Sequence, residues 1–157
     1  MPKYKTGTFI SVKIYREIIK HLVICTVDVL FFNKTKDETL LFKRTNLPYR
    51  GAYFSAGGRL LKNEEFKQAA VRQMKQELGL KLDPKKLIWG GVVNEINPSS
   101  IFQGINSHTV NIFWGYILRY SHVKFDGQHS VARWFKVNDQ RLHPLVKKKL
   151  RMILPNL

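Results

Sequence analysis

"RQMKQELGL", residues 72–80, decides how this chain is read, because its polar residues keep helical spacing. Positions 73, 76 and 77 stand as i, i+3 and i+4, so Gln73, Gln76 and Glu77 project from one face of a helix. Three carboxylates on such a face would form an anionic cluster suited to Mg2+, which takes oxygen ligands and commonly shares its coordination with substrate phosphates. Only Glu77 is a carboxylate here. The two amides can still offer an oxygen, but they cannot take a proton from water. The helix is expected to begin near Glu64, with Asn63 as N-cap and Glu64 and Glu65 at the positive end of its dipole; Gly79 stops it. Phe66, Ala70, Met74 and Leu78 repeat every four residues and predict one core-facing stripe. Taken singly, Glu64, Arg72 and Glu77 read as charges on an exposed helix face.

Around this helix the chain has 157 residues, enough for one domain with a substantial core. With 27 Lys and Arg against 11 Asp and Glu, its formal charge is +16, a field that attracts polyanions without choosing among nucleic acid, anionic membrane and phosphorylated small molecules. A lone cysteine, Cys25, excludes an intramolecular disulfide and a multi-cysteine zinc site, which fits a reducing compartment. The longest apolar run, "HLVICTVDVLFF" from His21, is too short to span a bilayer and carries Asp28 in its middle. The N-terminus, "MPKYKTGTF", has no apolar signal core, so a cytoplasmic location and no membrane partner are expected.

Residues 22–32 are rich in β-branched and aromatic types and predict a buried strand; "NKTKDE" from Asn33 is a turn, and "TLLFKRT" returns as its hairpin partner. "LPYRG" leads to a short strand at Tyr53 and Phe54, then to Gly57-Gly58. Further strands are expected at 87–95, 109–119 and 132–137, and "PLVKKKLRMIL" is a basic amphipathic helix whose Lys147, Lys148, Lys149 and Arg151 form its solvated face. Segment 10–22 mixes alternating and helical spacing. Trp89, Trp114 and Trp134 are assigned to core or rim, and His21, His108, His122 and His143, which lack ligand-like spacing, to structural or exposed positions. Strands on both sides of a central helix, closed by another helix, give a mixed α/β sandwich.

The stretch "KRTNLPYRGAYFSAGGRLLKNEEFKQAAVRQMKQELGLKL", residues 43–82, resembles the Nudix superfamily. Gly58, Glu64, Arg72, Met74, Glu77, Gly79 and Leu80 fall at the motif's spacings. The loss of two helix carboxylates is similar to the GDP-mannose mannosyl hydrolase branch, as is "GQHSVARWF" from Gly127 to Phe135. The resemblance implies a single Nudix hydrolase domain over 1–157, an α/β fold with a mixed β-sheet sandwiched between α-helices. It implies hydrolysis of GDP-mannose or GDP-glucose by water attack at the anomeric carbon with inversion, releasing GDP and free sugar. In that branch the base matches His129, and Mg2+ is held at positions matching Glu77, Gln128 and the carbonyl of Gly57. Arginines matching Arg44, Arg59 and Arg72 assist departure of the diphosphate, and an aspartate matching Asp28 lies by the sugar. The chain departs from the branch at Glu95, in place of a histidine near the sugar, and at Asn111, in place of a tyrosine near the diphosphate; Ala56 replaces the usual proline. A homodimer is implied as well. Two alternatives remain open: a Nudix pyrophosphohydrolase cutting at phosphorus with Glu95 as base, and a basic non-catalytic module binding nucleotide or RNA.

Overall fold

The computed structural model describes residues 7, 10–119 and 131–157. Its centre is β1 (Ile24–Phe32), which hydrogen-bonds along its length to a parallel neighbour, β6 (Ser107–Ile117). On the other side of β1 lie two antiparallel partners, β2 (Glu38–Lys43) and the short β4 (Ala56–Arg59). β3 (Tyr53–Phe54) and β7 (Ala132–Lys136) extend β2, and β5 (Ile88–Asn97) pairs antiparallel with β6 at the opposite edge.

Helices lie against both faces, so β1 is largely buried and reads as a nearly continuous apolar run. Val27, Val29 and Phe31 pack with Ala70, Met74 and Leu78 of α2 (Phe66–Leu78). Leu30 and Phe32 point the other way, into a cluster with Phe113 and with Val146, Leu150 and Ile153 of α3 (Pro144–Ile153). By the same alternation Thr26 and Asp28 fall on the α3 face, and that parity puts a carboxylate inside the molecule.

Three local expectations change. Segment 10–22 resolves into α1 (Val12–His21), capped by the Ser11 hydroxyl, which accepts from the Ile14 N–H. The second helix starts at Phe66 rather than near Glu64, with Glu65 as N-cap in a reciprocal capping box with Gln68. Asn63 has φ +63° and belongs to the turn before it. Phe66 consequently lies outside the packed stripe and is 43% exposed, while Ala69 and Gln73 are buried beside Ala70, Met74 and Leu78.

The third change is in α3. Lys149 does not lie on a solvated face. It occupies the i+3 position of a stripe running Val146, Lys149, Leu150, Ile153, and all four are buried. Lys148 and Arg151 remain exposed. Trp114 is buried, and Trp89, 45% exposed, packs edge-on against it.

Candidate active site

The turn between β4 and α2 is closed by Arg72. Its guanidinium donates to both carboxylate oxygens of Glu64, to the Arg59 carbonyl (3.0 Å) and to Gln76 Oε1 (3.1 Å). Burial pushes the Glu64 carboxyl up, but Arg72 and the Leu61 N–H outweigh it and hold the acid below its ordinary range. Arg72 therefore clamps the glycine turn to the helix, with four of its five N–H donors bonded to protein oxygens.

Gln73 lies under the same turn. A Cβ on Gly58 would stand 2.6 Å from Gln73 Nε2, so the glycine is what lets this amide approach. Nε2 donates to the Arg59 carbonyl at 3.3 Å, which a glutamate could not do. Of the three positions on this helix face, two are amides bonded to protein groups and one, Glu77, is an acid. Glu77 is pushed up to about 7, first by burial and then by the charge of Asp28; the Gly57 N–H, Arg44 and Arg72 pull it back.

Gly57 joins this face to the α3 side. A side chain there would collide with Asp28 Oδ1 and the Val27 carbonyl. Asp28 Oδ2 accepts from Ser55 Oγ (2.7 Å) and from Lys149 Nζ (3.0 Å), and Lys149 lies 3.2 Å from Glu95 Oε1. The lysine side chain is 1% exposed. Burial alone would lower its pKa, but the two carboxylates reverse this and raise it, so the ammonium is retained. Burial likewise raises Glu95, with Lys149 opposing.

These groups floor a cavity of about 220 Å3. Arg44 and Arg59 line it; Arg44 Nε is anchored on the Pro48 carbonyl at 2.9 Å, and Arg59 lies over the Tyr15 ring from α1 at 5.5 Å. Asn111, 2% exposed, donates to Thr26 Oγ1 at 2.8 Å from the adjacent strand, and its Oδ1 has no partner among the described residues. A second cavity of about 200 Å3 contains Glu77 and shares Arg44, Ser55 and Gly57 with the first.

A family description, the NUDIX domain, matches residues 25–157. The chain belongs to the Nudix family. It is 28% identical over 137 residues to the low-salt glycan biosynthesis protein Agl8 of Haloferax volcanii, covering 87% of this chain and 85% of that protein. Among solved structures it is similar to a MutT Nudix hydrolase from Burkholderia pseudomallei, with TM-score 0.68, 20% identity and 85% and 99% of the two chains covered. It is also similar to the Nudix domain of Shewanella oneidensis NrtR complexed with ADP ribose, with TM-score 0.63, 16% identity and 92% and 99% covered. These two likenesses establish the fold.

As a Nudix hydrolase, the chain belongs to proteins that generally use a divalent metal. The described residues offer a hard cation an oxygen donor: Glu77 is a buried carboxylate lining the smaller cavity beside Gly57. No group of three or more His, Cys, Asp or Glu is gathered for a metal among the described residues. The expected ligand Gln128 and base His129 lie outside them. The fold brings Asp28, Arg44, Arg59, Glu95 and Asn111 to one cavity and leaves Arg72 behind its wall as a brace. Lys149, Ser55 and Tyr15 were missed as site residues. The readable signal for Lys149 was its i, i+3 register with Val146 and its i, i+4 register with Ile153.

Two outcomes follow. Gln73→Glu restores the motif's carboxylate but faces an acid oxygen toward the Arg59 carbonyl. Thermal denaturation should show a loss of about 1–3 kcal/mol, the cost of an unsatisfied buried group, with no gain in turnover. Equal stability would mean that the amide is replaceable. For Glu77, the folded acid binds its proton more tightly than the unfolded chain does. Its contribution to stability is therefore present below pH 4.5 and is lost as pH rises through about 7. With metal chelated, Glu77→Gln should lack this decline; melting curves of mutant and wild type that stay parallel across that window would contradict it.

Proposed function

We propose that this Nudix hydrolase acts on a GDP-sugar, GDP-mannose or GDP-glucose, and releases GDP and free sugar by substitution at carbon. The carrying observation is that α2 offers a single acid, Glu77, while Gln73 and Gln76 are held in hydrogen bonds to the protein. A lone helix acid suited to holding the metal leaves no second helix carboxylate to activate water at phosphorus. The resemblance assigns that proton to His129, and imidazole is the side chain whose unperturbed pKa lies nearest neutrality.

In this reading the water oxygen bonds to the anomeric carbon from the face opposite the diphosphate, its proton passes to His129, and the bond from C1 to the phosphate oxygen breaks with both electrons leaving on GDP. Glu77, the Gly57 carbonyl and Gln128 would hold Mg2+, which supplies positive charge to the departing diphosphate. Arg44 and Arg59, which line the cavity, add donors on the same side. Asp28, oriented by Ser55 and Lys149, presents its carboxylate to the sugar. The glycan-biosynthesis name of the Haloferax relative agrees with nucleotide-sugar chemistry. Glu95, the base that the alternative cut at phosphorus would need, is instead engaged in an ion pair with Lys149 beside Asp28.

Phosphorus NMR of GDP-mannose with enzyme and Mg2+ should show GDP alone as the phosphorus product. GMP with a sugar phosphate would instead establish the pyrophosphohydrolase. In the same assay His129→Gln should lower the rate by roughly a hundredfold or more, the usual scale for a lost general base.

A further inference from the structure

The floor of the larger cavity carries more acceptors than the fold uses. Lys149 brings one positive charge and meets two carboxylates, Asp28 at 3.0 Å and Glu95 at 3.2 Å, so the three groups together leave one negative charge. One carboxylate would have sufficed to neutralise the buried ammonium. Each carboxylate gives the ammonium one oxygen, Asp28 Oδ2 and Glu95 Oε1, and keeps its second oxygen for another donor. Asn111 Oδ1, on the adjacent strand of the same floor, is a buried acceptor with no partner among the described residues. Buried acceptors call for donors.

The two walls sort ligand chemistry. A phosphate is anionic and offers acceptors only, so it suits the Arg44 and Arg59 side and is repelled by the floor. A polyol brings O–H donors and no charge, which the floor can bind. We propose that Lys149 is a positioning residue for substrate: by bridging Asp28 and Glu95 it fixes an acceptor floor that receives the hydroxyl groups of the substrate's glycosyl part, with the phosphates turned toward Arg44 and Arg59. This rests on the nucleotide-sugar reading above and adds the element that fixes which end of the substrate goes down.

The double variant Glu95→Gln/Lys149→Met tests it, because it removes one charge of each sign and leaves Asp28 bonded to Ser55. Affinities for GDP-mannose and for GDP are read by displacement of a fluorescent GDP analogue with Mg2+ present, before appreciable turnover. GDP-mannose should bind roughly tenfold to a hundredfold more weakly, the scale of one hydrogen bond to a charged group, and GDP should change by less than about twofold. A purely structural lysine would weaken both ligands in parallel, and that result overturns the proposal, as does an unchanged ratio. If the double variant does not fold, Glu95→Gln alone keeps the Lys149–Asp28 pair and should show the same selective loss; equal effects on the two ligands again refute it. Failure of the functional reading looks different: GMP as the wild-type product, with the selective loss intact, would refute attack at carbon and leave the role of Lys149 standing.

Discussion

An ammonium removed from water tolerates its position only with opposite charge beside it, and the buried head of Lys149 imposes that condition on four elements at once. α3 must dock through Val146, Leu150 and Ile153 for Nζ to reach the sheet. Asp28 must point to the α3 face of β1, and Glu95 must rise from the edge strand β5 to meet it. Position 57 must be glycine, because Asp28 occupies the space a side chain would need. The same carboxylate adds to the burial that raises the pKa of Glu77 across the glycine turn, so the cavity floor and α2 are electrostatically coupled.

The glutamines of α2 are integrated parts of that site. Gln73 fills the space above Gly58 and supplies an N–H to the Arg59 carbonyl, and Gln76 supplies an oxygen to Arg72. A Nudix helix with three acids concentrates negative charge that a metal must offset; this one holds a single desolvated acid and an arginine clamp. The division of labour in the proposed reaction follows: the helix binds, and the proton goes elsewhere. The acid at position 77 costs the metal-free fold stability, which is common where binding requires an unfavourable charge.

The sheet and its central helix were legible because their signals are periodic and local. The apolar run of β1, the turn at Asn33 and the four-residue stripe ending in Met74 and Leu78 each placed an element to within a few residues. Boundaries set by side-chain capping were less legible: Asn63 is the better cap by type, but its left-handed backbone and the pairing of Glu65 with Gln68 move the cap to Glu65. The candidate site was legible where the glycine turn and helix spacing carry it. It was illegible where partners lie far apart in the chain. Asp28 and Lys149 are 121 residues apart, and a lysine inside "KKK" looks solvated until its register with Val146 and Ile153 is weighed.

The central claim is that bond cleavage occurs at carbon, and the fate of the attacking oxygen tests it most directly. When GDP-mannose is turned over in water enriched in heavy oxygen, mass spectrometry should find the label on the sugar hydroxyl and GDP at its ordinary mass. Label in a phosphate-containing product would contradict the account and return the chemistry to phosphorus.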